Sequence, residues 1–179
     1  MLNIDQLLLV LVDMQGKSIS RAFQRDRLLD RTRRLVRGAQ ALGVPMLRTE
    51  LDSDHLGHTV GELMLLAPSG ACVKKMAFSA YAEPVFRKAL EAVGRTQVLL
   101  VGQETHVAIY QTARDLWRND IHVEVVADAV TARSQQNHEL GLGLLRAAGI
   151  SLTSVETALC ELVGGVDHPA YPQIRNIVS

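Results

Sequence analysis

The sequence predicts an α/β fold, a three-layer α/β/α sandwich of Rossmann-like type with a mainly parallel central sheet of about six strands. Short, continuous apolar runs such as Leu7–Val12 are typical of strands that are covered on both faces. Helical patterns lie between these runs, and strands that alternate with helices indicate a parallel sheet. The chain has 179 residues with no internal repeat and no linker, so we expect one domain, residues 1–179.

Six segments are candidate strands. The strongest candidates are nearly unbroken apolar runs, at residues 7–12, 97–101 and 122–126. The weaker candidates are shorter or more polar, at residues 44–48, 71–74 and 150–153.

Five segments are candidate helices, at residues 25–42, 84–94, 105–119, 136–148 and 155–163. Gly43 follows the first helix, where glycine often ends a helix, and Pro84 suits the first turn of the second. The first helix is rich in arginine, but Asp26 and Asp30 interleave the basic residues. We therefore interpret its polar side as a solvated face and not as a nucleic-acid site.

Composition and charge exclude several classes of protein. Lys plus Arg and Asp plus Glu both total 19, so the basic excess typical of nucleic-acid-binding proteins is missing and we expect no nucleic-acid partner. No apolar run approaches the roughly 20 residues that span a bilayer, so we expect no membrane association. Cys72 and Cys160 are too few for a disulfide framework. We interpret both as core thiols and predict a cytoplasmic protein.

Polar residues stand where the predicted strands end, at the edge of a parallel sheet where ligands bind. Asp13 directly follows the first strand, and a carboxylate beside six apolar residues needs a partner or a cleft. Lys74 and Lys75 end the third strand, and the turn 102–108 leads from the fourth strand into a helix. Asp128 follows the fifth strand, where it could also cap a helix, and the two lysines could form a solvated edge. If Asp13, one of the two lysines and the helix start after the turn 102–108 converge on one cleft, they would form a site with an acid, a base and free N–H groups.

Six motifs carry a family resemblance. In order, they are Leu9-Val10-Leu11-Val12-Asp13-Met14-Gln15, Lys75-Met76-Ala77-Phe78-Ser79, Val101-Gly102-Gln103-Glu104-Thr105-His106-Val107, Gln111-Thr112-Ala113, Ala127-Asp128-Ala129-Val130 and Arg133-Ser134. At these intervals the chain resembles, over nearly its whole length, the isochorismatase-like hydrolase superfamily, also called the cysteine hydrolases. The third and fifth motifs are most similar to those of the small isochorismatase-domain proteins.

The resemblance implies an Asp–Lys–Cys triad and a hydrolase without a cofactor. Asp13 would be the general acid and base, Lys75 its electrostatic partner, and position 108 that of the nucleophilic cysteine. A cis peptide bond is implied between Gln103 and Glu104, and backbone N–H groups of the same turn would form an oxyanion hole. The other binding residues that the resemblance implies are Gln103, Glu104, Thr105 and Val107 and, in the pocket, Gln15 and Phe78.

Position 108 departs from the family, because it is Ala108 and alanine carries no nucleophile. Gln103 and the stretch 16–18 depart as well. Three explanations stay open: an engineered Cys-to-Ala change, a natural enzyme that works without a thiol, or a member that binds a ligand without turnover. In the second case Asp13 would protonate a vinyl ether and water would add. We therefore expect a small-molecule substrate, cleaved at an amide C–N or vinyl-ether C–O bond, and a homo-oligomer, as is usual in the family.

Other candidate chemistry is weaker. Thr105 has a hydroxyl, but its neighbour His106 would point elsewhere on a helix. Some relatives hold a metal through an Asp-x-His motif, which the loop containing Asp54, His55 and His58 lacks. We expect no metal site, and we interpret this loop as a lid over the cleft.

Overall fold

A computed structural model describes residues 1–66 and 72–179. It contains a six-stranded, all-parallel sheet with the strand order β3-β2-β1-β4-β5-β6, flanked by helices, which confirms the predicted fold class. The strands are Leu7–Val12 (β1), Met46–Leu51 (β2), Cys72–Lys75 (β3), Gln97–Gln103 (β4), His122–Thr131 (β5) and Ser151–Thr153 (β6). Residue 71, where the third strand was predicted to begin, lies outside the described residues.

The helices of the described residues include all five predicted ones and several that the sequence did not indicate. They are Gly16–Ile19 (α1), Arg25–Ala41 (α2), Ser53–Leu56 (α3), Gly61–Met64 (α4), Pro84–Val93 (α5), Tyr110–Arg118 (α6), Gln135–Ala147 (α7), Val155–Val163 (α8) and Tyr171–Val178 (α9). A short 3-10 turn spans Ala80–Ala82, and a π-helical turn over Thr105–Ile109 leads into α6. None of the helices in this described part combines the length and apolar character needed to cross a bilayer.

Two hydrophobic cores lie on opposite faces of the sheet, and β1 supplies both. Its odd-numbered residues, such as Leu9, pack towards α2, α8 and α9, and its even-numbered residues, such as Val10, pack towards α5, α6 and α7. All six residues of β1 are buried, because side chains alternate between faces and each face is covered. This arrangement explains why the strand is an unbroken apolar run.

The strand order reverses between β1 and β4, which opens a crevice at their carboxyl ends. Gly102 makes this junction close. Its φ is +118°, and a Cβ atom built on it would lie 2.0 Å from the carbonyl oxygen of Val12. Only glycine fits between the two strands at this point.

Three details differ from the sequence prediction. β5 runs on to Thr131 after an irregularity in its pairing with β4 at Leu100 and Gly102, so Asp128 lies within the strand and not after it. Cys160 is exposed, and its prediction as a core thiol was wrong, because the buried residues of α8, including Leu159 and Leu162, form a stripe that excludes it. Cys72 is half-buried.

Candidate active site

The centre of the site is an ion pair between Asp13 and Lys75. The Nζ atom of Lys75 lies 2.7 Å from Oδ2 of Asp13, and both residues are at most 5% exposed. Asp13 directly follows β1 and Lys75 ends β3, so the two residues meet across the end of β2. Thr49 of β2 donates its hydroxyl to Oδ1 of Asp13 at 2.7 Å. The two carboxylate oxygens therefore have different partners.

Lys75 is fixed by the loop that follows it. Its ammonium group donates to the carbonyl oxygens of Ala77 and Phe78, each at 3.0 Å. The carboxylate of Glu83 in turn accepts hydrogen bonds from the backbone N–H groups of Met76 and Ala77 at 2.8 and 2.9 Å. These contacts hold Lys75 in place beside Asp13.

The electrostatics of Asp13 favour proton exchange. Burial raises the pKa of the Asp13 carboxyl, and the Lys75 ammonium and the Thr49 hydroxyl offset only part of that rise. A carboxyl group of this kind holds a proton at a higher pH than an exposed aspartate does. It is suited to act as a general acid in one step and a base in the next.

The turn after β4 forms a second wall. The Gln103–Glu104 peptide bond is cis, as the resemblance implied. The Nε2 atom of Gln103 donates to the carbonyl oxygen of Asp13 at 3.3 Å, which ties the turn to the end of β1. The carboxylate of Glu104 accepts from the backbone N–H of Arg133 at 3.1 Å and lies 3.5 Å from its Nε atom.

A cavity of about 570 Å³ lies between these walls. Predicted site residues that line it are Asp13, Gln103, Glu104, Val107, Ala108 and Phe78. Ala108 is 3% exposed and carries only a methyl group into the wall. Lys75 does not itself line the cavity, but its ammonium group contacts Asp13, which does.

Two predicted binding residues lie behind the cavity wall. Gln15 is fully buried, and its side-chain amide is occupied by the backbone of Leu51 and Gly57, at distances of 2.6 to 2.9 Å. Thr105 is also fully buried, and its hydroxyl lies 3.1 Å from Nδ1 of His138 on α7. Both residues therefore support the site from behind.

The backbone N–H of Val107 was implied as part of the oxyanion hole. It donates to the carbonyl of Glu104 at 3.1 Å, so this N–H group already has an acceptor.

The segment after β2 covers one side of the cavity, where the sequence predicted a lid. His55 and Leu56 contribute to the wall, and the carbonyl of His55 accepts from Nζ of Lys17 at 2.6 Å. Glu50 anchors the far end of this segment: its carboxylate accepts from the backbone N–H and hydroxyl of Thr59, each at 2.9 Å, and lies 3.0 Å from Nδ1 of His58. Within the described ranges, no three His, Cys, Asp or Glu side chains gather in a way that could hold a metal ion.

Several cavity residues were missed by sequence reasoning. They include Lys17, Arg21 and Leu51. His55 and Leu56 lie in the loop that was predicted as a lid, and Arg133 lies in one of the six family motifs. A signal existed for Lys17 and Arg21, which follow β1 four residues apart and stand in or beside the stretch that departs from the family pattern. No local signal indicated that Leu51 would face the same cavity, and the motif that contains Arg133 was not assigned a role in the site.

Asp128 and Lys74 are not part of this site. One oxygen of Asp128 accepts from the backbone N–H of Val155 at the start of α8, at 2.9 Å, and the other lies 3.6 Å from Arg31. Asp128 therefore does not cap a helix that follows it directly, which the sequence left open; it accepts from the first residue of α8, whose N-cap is Ser154. Lys74 is exposed.

A family model described as the isochorismatase domain matches residues 7–157. The chain belongs to the isochorismatase family. The span covers β1 to β6 and the first residues of α8, and so includes both walls of the cavity.

Curated relatives agree with this assignment. This isochorismatase-family chain is 36% identical over 146 residues to isochorismatase domain-containing protein 1 of Salmo salar, covering 82% of this chain and 51% of that protein. It is 34% identical over 174 residues to isochorismatase domain-containing protein 2 of Danio rerio, covering 96% and 86%. It is 32% identical over 175 residues to the secreted isochorismatase effector Isc1 of Phytophthora sojae, covering 96% and 83%. The chain thus spans about half the length of the Salmo salar relative.

Solved structures show the same fold. The MAR1 ribonuclease of Caenorhabditis elegans superimposes with a TM-score of 0.92 at 31% identity, covering 99% of this isochorismatase-family chain and 91% of that one. The YcaC gene product of Escherichia coli, described as an octameric hydrolase of unknown specificity, superimposes with a TM-score of 0.87 at 22% identity, covering 99% and 94%. The second likeness concerns the fold alone.

Proposed function

We propose that this chain is a small-molecule hydrolase that works without a covalent intermediate, with Asp13 as the general acid and base and Lys75 as its electrostatic partner. The observation that carries the proposal is the buried Asp13–Lys75 pair, 2.7 Å apart, at the wall of a cavity that also contains Ala108. Of the two bonds that the family resemblance implies, we propose the vinyl-ether C–O bond.

The chemistry of that bond suits a lone carboxyl group. Because its pKa is raised, the Asp13 carboxyl holds a proton in part of the protein population. This protonated form gives its proton to the terminal alkene carbon of the substrate, which leaves an oxocarbenium ion and restores the carboxylate paired with Lys75. The carboxylate then takes a proton from water as the water oxygen bonds to the cationic carbon. The resulting hemiketal breaks its C–O bond and releases an alcohol and a carbonyl compound, and Asp13 ends the cycle protonated.

An amide C–N bond needs more than this site offers. The covalent route needs a nucleophile at position 108, and Ala108 has none. Cys72 does not take its place, because it does not line the cavity and its thiol pKa is raised by burial and then by nearby Glu50. Water activated by Asp13 alone would have to displace a poor leaving group.

A second candidate function is ligand binding without turnover. The absence of a nucleophile at Ala108 favours it, since binding needs only the cavity and its polar groups. The two functions differ in the use of Asp13, which hydrolysis requires as a proton donor.

The test is hydrolysis of a panel of small vinyl ethers by the unaltered chain and by Asp13→Asn. We expect turnover by the unaltered chain and a loss of at least about a hundredfold in Asp13→Asn, which is typical of removing a general acid. Circular dichroism checks that the variant is folded under the assay conditions. Binding of panel members without any hydrolysis favours the second function, and turnover that survives in Asp13→Asn contradicts the role of Asp13.

We also propose that the chain is a homo-oligomer, and that it is cytoplasmic because both of its cysteines, Cys72 and Cys160, are free thiols. The YcaC gene product is octameric by its description, and Trp117 on α6 is 54% exposed in the single chain, so its apolar surface is open to a partner subunit. Light scattering on the purified chain tests the oligomer: a mass above that of one chain supports it, and 19.6 kDa contradicts it.

A further inference from the structure

The cavity carries more positive than negative charge. Four cations belong to the site, namely Lys17, Lys75, Arg21 and Arg133, while the carboxylates on the wall are those of Asp13 and Glu104. Each of these carboxylates has its own cation: Asp13 is paired with Lys75, and Glu104 lies 3.5 Å from Arg133. The two carboxylates of the site are therefore already paired with Lys75 and Arg133, and the charges of Lys17 and Arg21 are left over.

Lys17 and Arg21 have no acidic partner among residues 1–66 and 72–179. Lys17 donates to the carbonyl of His55, a neutral acceptor, and Arg21 makes no salt bridge there. His55 faces the same cavity, but its ring is already 2.9 Å from the carboxylate of Asp52. Both unpaired cations are exposed to solvent at the cavity and stand four residues apart in the segment after β1.

Apart from Ser18, His55 and Gln103, the rest of the wall is apolar. The carbon surface of the cavity comes from Leu51, Leu56, Phe78, Val107 and Ala108. A ligand that fits this arrangement has an anionic group at one end and an apolar body. Two unmatched cations beside an apolar pocket also attract anions over a distance and select against cations.

From this charge pattern we infer that the ligand of the cavity is a small oxyanion, a carboxylate or a phosphate monoester, whose anionic group binds Lys17 and Arg21 while its apolar body extends towards Asp13 and Ala108. This inference rests on the proposed function only in that it places the ligand in the same cavity. Binding of the anion does not require turnover, so each claim can fail without the other.

The experiment is calorimetric titration of the full chain with three probes of similar shape: benzoate, phenyl phosphate and benzamide. We expect at least one of the two anions to bind about tenfold more tightly than neutral benzamide, and to bind more weakly as salt is added. The anion that binds better identifies the source of the oxyanion. Equal binding of all three probes, or binding of none at millimolar concentration, overturns the inference.

The matched variants are Lys17→Gln and Arg21→Gln, which remove a charge and keep a hydrogen-bond donor, so the glutamine amide at position 17 can still donate to the lid. We expect the double variant to weaken anion binding about tenfold and to leave benzamide unchanged. Lys88→Gln, an exposed cation on α5 outside the cavity, is the control and should change nothing. If Lys88→Gln weakens the anion as much as the double variant does, the effect is one of net charge and the subsite is refuted.

Discussion

Lys75 places its ammonium group 2.7 Å from the carboxylate of Asp13, and the two side chains are buried together although a whole strand separates their own strands. In a buried ion pair of this kind, each charge is stabilised by the other. Each partner is costly to bury alone, so the pair responds strongly when one side is removed.

The variant Asp13→Asn leaves the charge of Lys75 buried without a counter-ion. We expect a loss of about 3–5 kcal/mol in the free energy of unfolding, because an uncompensated buried charge is strongly destabilising. Urea denaturation at neutral pH measures this loss. The double variant Asp13→Asn, Lys75→Met removes both charges and should recover a large part of it, whereas equal losses in the single and double variants would mean that the two residues do not depend on each other.

Glu50 should make stability depend on pH. Burial alone would raise its pKa, but hydrogen bonds from Thr59 and His58 outweigh burial and hold the pKa below the ordinary value of 4.5. A carboxyl group with a lowered folded-state pKa stabilises the fold above pH 4.5, and this contribution is lost as the pH falls through its folded-state pKa.

We therefore expect Glu50→Gln to lower stability by about 1–3 kcal/mol at neutral pH, and the difference from the unaltered chain to shrink below pH 4.5. Denaturant titrations of both proteins at neutral pH and below pH 4.5 measure this difference in stability. Glu91→Gln, an exposed carboxyl on α5, serves as the control. A gap that stays constant with pH would show that the Glu50 carboxylate is not what anchors the lid.

Gly102 sets the distance between β1 and β4 at the site. The change Gly102→Ala puts a methyl group against the carbonyl of Val12 at a φ of +118°, so we expect a loss of about 2–4 kcal/mol. Thermal unfolding provides the measurement. The matched control is Gly143→Ala on α7, where a Cβ atom meets nothing within 4 Å and alanine should raise stability by about 0.5–1 kcal/mol. Similar effects of the two changes would contradict the close approach.

The Thr105–His138 contact should position the turn after β4. Thr105 begins the π-helical turn that contains Ala108, and the imidazole of His138 is the partner of its hydroxyl. We expect Thr105→Val, which keeps the shape, to cost about 1–3 kcal/mol because the imidazole nitrogen then loses its partner in a half-buried place. Denaturant unfolding of Thr105→Val and Thr105→Ser tests this, and the serine variant, which keeps the hydroxyl, should retain most of the stability. A fully stable Thr105→Val would contradict the contact.

How far the sequence predicts the site depends on which elements have to meet. Asp13 and Lys75 could be predicted because both stand at strand ends, which a parallel sheet brings to one edge. Asp128 was misplaced because β5 continues past an irregularity that no residue pattern marks. Gln15 was predicted in the pocket, but its amide is consumed by the backbone of Leu51 and Gly57, a tertiary pairing that the sequence does not show. The same holds for Thr105 and His138, which lie 33 residues apart.

The most direct test of the central claim compares the unaltered chain, Asp13→Asn and Ala108→Cys on the same vinyl ethers and amides. If Asp13 hydrolyses a vinyl ether without a covalent intermediate, the unaltered chain and Ala108→Cys both cleave vinyl ethers, Asp13→Asn does not, and any amide cleavage is confined to Ala108→Cys. Turnover of vinyl ethers that persists in Asp13→Asn, or that is seen in Ala108→Cys alone, would contradict the claim.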